Sequence, residues 1–335
     1  MHEQSTGIRQ GCPLSPYLFL VVMTCLFHDV HTHHTLDEDL RAGRVPGQTE
    51  DEILYADDTI CASTSKIALE KLLHAIEEES EKYGLKLNET KCEIIQFGQQ
   101  VTLKFRHGAV VPHMHKVKYL GCLVNDRGDP QMELRHRLSV CMGVWKKLGL
   151  FFKSSDCSVR LKLQVFNAIL RSKLMYGLES AQLTESSRQR LGTFQLKGLR
   201  QILKITTTYV DRQHSNTYVY TRANEQLQAQ RHEDRIERLS EYYTRMKLKS
   251  FAAILASRDD DPVKTVLLNP TTLKQHDVGT LRVGRPKKSW YRLTLSEYWK
   301  AIGKSYDVSV AGRPLNLEDN RHVALLKQAA RAGFH

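Results

Sequence analysis

The 335-residue sequence has few cysteines and no long apolar run. No stretch reaches the roughly 20 apolar residues of a membrane-spanning helix, so no membrane partner is expected. Its 7 cysteines are odd in number, widely spaced and absent after Cys157, and they form no Cys-x-x-Cys or Cys/His ligand pattern. This pattern argues against a structural zinc site and predicts reduced, mostly buried thiols in an intracellular protein.

Leader-like and repetitive segments are also missing. The opening "MHEQSTGIRQGCPLSP" is too polar for a signal peptide, which disfavours secretion. The hydrophobic content of 41% is that of a globular protein. A net charge of +12 favours an anionic partner such as nucleic acid, although many basic surfaces are only solvated faces.

The stretch "EDEILYADDTICAS" places two adjacent acids, Asp57 and Asp58, between short apolar runs that are expected to be buried. The runs predict a β-hairpin with the acids in its turn, and a single strand with a bulge is the alternative. Upstream, "YLFLVVMTCLFHDV" predicts a buried helix with Pro16 in its first turn, followed by a polar loop over 31–51. A buried pair of carboxylates is costly unless something binds it.

Helical spacing resumes at Ser65 and ends at Gly84, with apolar residues on one face. The segments "KCEIIQF", "VTLKF" and "VKYLGCLV" then predict strands. Residues 1–125 are therefore expected to be α+β, with helices packed on an antiparallel sheet.

The second half is predicted to be mainly helical. Asp129 and Pro130 open a helix in cap and first-turn positions, and further helices are expected at about 156–175, 186–204 and 226–257. The tail "LRVGRPKKSWYRL" combines the basic Lys287 and Lys288 with Trp290 and Tyr291. Such a mixture suits phosphate contacts with stacking on a base, or it is plain solvated surface.

Nucleotidyl transfer uses two divalent metals, and Mg²⁺ prefers carboxylates combined with phosphate oxygens and waters. Asp57 and Asp58 in a rigid hairpin turn would suit this chemistry, whereas a surface turn that uses Asp for local hydrogen bonds is the alternative. The histidines at 28, 31, 33 and 34 invite a metal interpretation, but without a partnering cysteine pattern they are expected to be exposed.

Four motifs occur in a defined order: "GIRQGCPLSPYLF", "YADD", "GLKLNETKCEIIQF" and "KYLGCLV". Together they resemble the reverse transcriptase palm of non-LTR (LINE-like) retrotransposons, a class of transposable element. The resemblance is strong over about 7–125 and weaker to about 205. It implies a partial palm at 1–125, an all-helical thumb at 126–205 and a basic helical C-terminal region at 206–335.

The resemblance implies an RNA-directed DNA polymerase, a nucleotidyltransferase that uses an RNA template, a DNA primer, dNTPs and Mg²⁺, with Mn²⁺ as an alternative ion. Asp57 matches the catalytic metal ligand, Asp58 its accessory neighbour, and Lys91 a lysine near the triphosphate that could serve as general acid. The matched nucleotide- and template-binding positions are Arg9, Gln10, Gly11, Ser15, Pro16 and Tyr55, and the matched primer-grip positions are Tyr119, Leu120 and Gly121.

Each of these positions has a plainer interpretation. Gly11 and Pro13 could simply punctuate a turn, Lys91 could be a surface lysine, and Tyr55 could be ordinary core. A nuclear location follows only by family analogy, because "RPKK" is too short for a targeting signal, and no protein partner is predicted.

The family carries another catalytic aspartate upstream of the Arg-Gln-Gly motif, preceded by fingers. Only 6 residues precede Gly7, so both are expected to be missing, and the chain alone is expected to have weak or no activity. A truncated copy, a partial gene model and an excerpted domain remain open. The rival function is a non-catalytic nucleic-acid-binding remnant of a retroelement.

Overall fold

The computed structural model describes residues 11–98, 100–227, 235–276, 289–303 and 313–333. These residues form two compact units. The first unit contains the described residues up to His115 together with 257–276, and the second contains the remainder. The boundaries differ from the predicted cuts after 125 and 205, and the palm, thumb and tail assignments stay predictions.

The elements are as follows in chain order. Up to His115 they are α1 (Ser15–His33), α2 (Asp37–Gly43), β1 (Glu52–Tyr55), β2 (Asp58–Cys61), α3 (Lys66–Lys82) and a 3-10 turn at Glu89–Lys91. The chain continues with β3 (Lys116–Tyr119), β4 (Cys122–Asn125), α4 (Pro130–Lys147), α5 (Gly149–Ser154), α6 (Val159–Val165), a π-helical segment at Phe166–Arg171, α7 (Ser172–Met175), a 3-10 turn at Leu178–Ser180, α8 (Glu185–Leu203), α9 (Asn216–Leu227), α10 (Leu239–Ala256), α11 (Pro262–Leu267), α12 (Trp290–Ile302) and α13 (Asn320–Ala332).

Two small sheets are present among the described residues, and each is an antiparallel hairpin, β1–β2 and β3–β4. The chain is thus a mixture of helices and small antiparallel sheets, as the sequence predicted. No helix in the described ranges is long and apolar enough to cross a membrane.

The core of the first unit lies between α1, α2 and α3. Helix α3 begins just after Ser65, where helical spacing was predicted to resume, and the Ser65 side chain accepts a hydrogen bond from the Ala68 amide (3.3 Å). The helix stops before Gly84, which has a φ of 68°. Apolar side chains from all three helices meet in one cluster: Leu26, Phe27, Val30, Leu36, Leu40, Ala68, Leu72, Ala75 and Ile76. Leu69 and Leu73 of α3 pack on a second, smaller cluster built around Leu103, Phe105 and Val111.

Two predictions for the N-terminal region are wrong. Only the second half of α1 enters the core cluster, whereas Leu14, Tyr17, Leu18, Leu20 and Val21 in and before its first half are exposed. The predicted loop over 31–51 contains α2, because Leu36 and the residue four positions later bury together against the neighbouring helices.

The predicted strands at 91–97 and 101–105 are also wrong, because each makes only an isolated bridge. Helix α3 supplies the reason. The Glu70 carboxylate accepts from the Lys104 amide (2.9 Å) and the Glu77 carboxylate from the Arg106 amide (3.0 Å), so acidic side chains take donors that a neighbouring strand would use.

The second unit is a helical assembly that includes the β3–β4 hairpin. Helix α4 begins as predicted, with the Asp129 side chain accepting from the Gln131 amide (2.9 Å). The helices predicted at 156–175 and 186–204 are present, the first of them interrupted by the π segment. The last predicted helix starts at Leu239 rather than 226, because α9 extends to Leu227 and the Asn224 side chain holds the Ile236 backbone beyond it.

Candidate functional site

The β1–β2 hairpin carries the adjacent acids at its tip, as predicted. Tyr55 pairs with Asp58, so Ala56 and Asp57 form a two-residue turn. Ala56 has a φ of 55°, a left-handed conformation that costs a residue with a Cβ roughly 1–2 kcal/mol. Strained backbone of this kind is common at ligand-binding sites.

The expectation that this segment is buried is wrong. Ile53 and Tyr55 are 60% and 61% exposed, and Asp57 and Asp58 are exposed as well. The reason is that the hairpin has only two strands and the β1 side chains Ile53, Leu54 and Tyr55 are not covered by other described residues. Neither carboxylate makes a hydrogen bond or ion pair in the described part of the chain, so each is hydrated and available to a cation.

The base of the hairpin, by contrast, is firmly held. Asp51, which is buried, accepts a bidentate pair of hydrogen bonds from Arg44 (2.9 and 2.5 Å). His31 of α1 lies 2.9 Å from the Glu52 carboxylate. The exposed acids are thus presented by a hairpin whose β1 end is fixed both to α1 and to the segment after α2.

The predicted nucleotide- and template-binding positions lie partly at the start of α1. Ser15 is buried and Pro16 occupies the first turn, whereas Gly11 is exposed with a φ of 87° that favours glycine. Arg9 and Gln10 lie outside the described residues. The neighbouring Cys12 thiol has a lowered pKa, because it is hydrogen-bonded by the backbone of Leu14 and by Ser15.

Lys91 ends the 3-10 turn and is exposed. It belongs to the same unit as Asp57 and Asp58, yet no hydrogen bond or ion pair among the described residues joins its ammonium to either carboxylate. Its predicted role as a general acid therefore stays a prediction.

The predicted primer-grip positions form the turn of the β3–β4 hairpin. Tyr119 pairs with Cys122, and the two residues between them, Leu120 and Gly121, have φ angles of 44° and 79°. Positive φ at both positions is the type I′ pattern, whose twist suits a hairpin. The Tyr176 hydroxyl donates to the Leu120 carbonyl (3.0 Å).

A buried ion pair on α4 holds this second turn, and sequence reasoning missed it. Arg137 donates from Nε to Glu133 (2.5 Å) and from Nη2 to the Gly121 carbonyl (2.7 Å). Its guanidinium also lies over the Tyr176 ring, 5.1 Å from the centroid. Glu133 closes the arrangement by accepting from the Leu123 amide (2.8 Å). The Glu-Arg spacing of four on a predicted helix was the available signal.

The stacking role considered for the tail aromatics is wrong. Tyr291 is buried in the core of the second unit, and Trp290 lies edge-on to Phe251 while its indole N–H donates to the Glu179 carbonyl (3.1 Å). Helix α12 turns these rings inward as part of its packing face. Lys287 and Lys288 lie outside the described residues.

The thiols and histidines differ from expectation in part. All 7 cysteines are free, but only Cys141 is buried, while Cys25 on α1 and Cys157 before α6 are exposed. Two of the four histidines, His28 and His33, are exposed as predicted. The other two histidines are half-buried. His31 contacts the Glu52 carboxylate, and His34 contacts the Glu79 carboxylate.

Comparison with known proteins identifies a family that part of this chain resembles. Residues 1–124 match the family model described as "Reverse transcriptase (RNA-dependent DNA polymerase)". The chain is also similar to the RNA-directed DNA polymerase from mobile element jockey of Drosophila funebris, with 24% identity over 217 residues. That similarity covers 58% of this chain and 22% of the relative, so the chain spans about a fifth of the length of the relative. Residues 1–124 therefore match a reverse transcriptase domain, and the two comparisons together support the predicted resemblance to LINE-like elements.

Proposed function

We propose that this chain takes part in RNA-templated DNA synthesis, the addition of dNTPs to a DNA 3′ end. The observation that carries the proposal is the pair of free carboxylates, Asp57 and Asp58, at an exposed hairpin tip inside the residues that match the reverse transcriptase family. Enzymes of this family use divalent metals, and carboxylates are the ligands that such metals share with phosphate oxygens and water.

The residues at the tip fit a hydrated Mg²⁺ or Mn²⁺ ion. Asp57 would be the principal ligand and Asp58 the accessory one, because both are exposed and neither has a partner among the residues that the structure describes. When bound, the metals activate the 3′-hydroxyl and neutralise the triphosphate. The chain's own contribution is to hold the carboxylates rigidly, through Arg44 at the base of the hairpin.

Further residues in each unit are proposed to contact the substrates. Exposed Tyr55 offers an aromatic surface beside the acids for the primer terminus, and Lys91 is proposed to neutralise or protonate the departing pyrophosphate. The remaining nucleotide- and template-binding positions are Arg9, Gln10, Gly11, Ser15 and Pro16. The β3–β4 turn at Tyr119, Leu120 and Gly121 is proposed to hold the primer strand.

Primer extension by the purified chain tests the proposal. An RNA template with a DNA primer, dNTPs and either Mg²⁺ or Mn²⁺ should give metal-dependent extension, and Asp57→Asn should reduce its rate by at least about 100-fold. Extension that is equally fast in Asp57→Asn would contradict the assignment.

Asp37→Asn is the matched control. Asp37 is an exposed aspartate of the same unit, and its ion pair with Arg41 (3.8 Å) lies on the surface, where such pairs contribute little to stability. Extension by this variant should equal that of the unmodified chain. A similar loss in both variants would point to a general effect of removing negative charge.

A second candidate is nucleic-acid binding without chemistry, which the net charge of +12 favours. It predicts salt-sensitive binding of a primer-template duplex with unchanged affinity in Asp57→Asn. Binding without metal-dependent extension by the unmodified chain would select this candidate.

A further inference from the structure

Three metal-ligating side chains from two helices converge in the first unit. Asp29 and His33 lie four residues apart on α1 and share a face, and Glu79 reaches them from α3. One ligand atom from each lies within 4.8 Å of the other two. The group is separate from the hairpin that carries Asp57 and Asp58, and no residue of the proposed polymerase site belongs to it.

The Glu79 carboxylate is the centre of this group, and its side chain is fully buried. Its Oε1 lies 3.3 Å from His33 Nδ1, 3.0 Å from His34 Nε2 and 2.7 Å from the Lys82 ammonium. Its Oε2 is also buried, but this atom has no hydrogen-bond partner among the described residues. A buried carboxylate oxygen without a partner is costly, so a cation at this point would be stabilising.

Two of the three ligands, Asp29 and Glu79, are already oriented by neighbouring side chains. The Tyr83 hydroxyl donates to Asp29 Oδ2 (2.5 Å), which fixes that carboxylate and leaves its Oδ1 for another partner. His34 holds Glu79 Oε1 in the same way. Outer hydrogen bonds to ligating side chains are a regular feature of protein metal sites.

We propose that Asp29, His33 and Glu79 bind one zinc ion. An imidazole with two carboxylates is a set of three protein ligands that zinc accepts, with water in the fourth position. Mg²⁺ prefers oxygen ligands throughout and keeps most of its waters, so the histidine selects against it. Coordination through Oε2 leaves the Lys82 ion pair with Oε1 in place.

This assignment does not use cysteine, which is why the cysteine pattern of the sequence gave no sign of it. A second group, Glu77, Glu89 and His107, has comparable spacing, but none of its members is buried. The Glu77 carboxylate is moreover occupied by the Arg106 amide (3.0 Å). Of these two groups within the described ranges, only the one with Glu79 combines a buried ligand with an unpartnered carboxylate oxygen.

Zinc binding would join α1 to α3, the two longest helices of the first unit's core. The ion is therefore assigned a structural role, and the inference does not depend on polymerase activity. The expected consequence is a higher melting temperature for the zinc-loaded chain, because a ligand that binds only the folded state stabilises it.

Calorimetric titration of the chelator-treated full chain with Zn²⁺, in excess Mg²⁺, tests the proposal. One equivalent should bind, and His33→Asn should lower the affinity at least about tenfold. His33 is a suitable target because its side chain is 50% exposed, so the variant is expected to fold. Glu79→Gln should show the same loss, with circular dichroism to verify its fold.

His28→Asn and His107→Asn are the matched controls, the first on the same helix and the second in the alternative group. Both should bind zinc like the unmodified chain. With Co²⁺ in place of zinc, the absorption spectrum should lack a thiolate-to-metal charge-transfer band. The assignment would be overturned if His33→Asn bound zinc with undiminished affinity or if His107→Asn lost zinc affinity. A thiolate-to-metal band in the Co²⁺ spectrum would overturn it as well.

Discussion

Arg137 donates a 2.7 Å hydrogen bond from Nη2 to the carbonyl oxygen of Gly121, and so ties helix α4 to the turn between β3 and β4. The same guanidinium is paired with Glu133, and both side chains are at most 10% exposed. The proposed primer-holding turn therefore depends on a buried ion pair on helix α4.

Removing Arg137 should be strongly destabilising. Arg137→Met leaves the Glu133 carboxylate buried without its charge partner, which typically costs about 3–5 kcal/mol. The free energy of unfolding in urea measures the effect. Arg135→Met is the control on the same helix, since Arg135 is exposed, and it should change stability by less than about 1 kcal/mol.

The double variant Glu133→Leu/Arg137→Met separates charge burial from loss of the turn contact. If the uncompensated charge is the main cost, the double variant should recover much of the stability lost in Arg137→Met. Equal instability of the single and double variants would show that the hydrogen bonds to the hairpin backbone, at Gly121 and Leu123, dominate.

Relieving the strain at the acidic hairpin should stabilise it. Ala56→Gly allows the φ of 55° without a Cβ clash, and a gain of about 1 kcal/mol is expected locally. Slower hydrogen exchange at the Ile60 amide, within β2, would report the gain. Ala62→Gly, just after β2, has no positive φ to relieve and should show no such slowing.

The thiols should react in a defined order. Hydrogen bonds from the Leu14 backbone and Ser15 lower the pKa of Cys12. Loss of hydration at the partly buried Cys61, followed by the negative charges of Glu52 and Asp51, raises the pKa of that thiol to about 12. The thiolate is the reactive form of cysteine. At pH 8, a lowered pKa increases the thiolate fraction and a raised pKa decreases it. Iodoacetamide at pH 8 should label Cys12 well before Cys61, as peptide mass spectrometry can measure.

Bound primer-template and dNTP should then slow the labelling of Cys12, since this residue lies in the motif assigned to nucleotide and template. The exposed Cys157 provides an internal control within the same sample. Protection of both thiols to the same degree would indicate a non-specific effect of nucleic acid.

The basic tail should contribute to affinity for nucleic acid through charge. Neutralising Lys287 and Lys288 to Gln should reduce the slope of log K against log salt by about 1.8 on duplex DNA, if each lysine contacts one phosphate. Lys146→Gln/Lys147→Gln is a matched pair, adjacent and exposed at the end of α4. An equal change in both pairs would mean that total charge, rather than the tail, governs binding.

Local signals in the sequence predicted some elements well. The β1–β2 hairpin followed from two apolar runs around a turn, and the start of α4 from Asp129 and Pro130, because turns and caps depend on neighbouring residues. Burial was predicted poorly, since exposure of Ile53 depends on what covers it. The segment 101–105 has strand-forming residues, yet the Lys104 amide within it and the Arg106 amide just after it bond to distant glutamates. Such long-range partners cannot be read from a local pattern.

Those glutamates have a consequence for how the first unit tolerates insertions. Glu70 and Glu77 hold the amides of Lys104 and Arg106, and His74 between them lies 2.8 Å from the Lys104 carbonyl. One extra residue in α3 before Glu70 would rotate all three side chains by about 100°. The segment after α3 would then lose its three anchors together, so α3 should accept substitutions on this face more readily than a change in length.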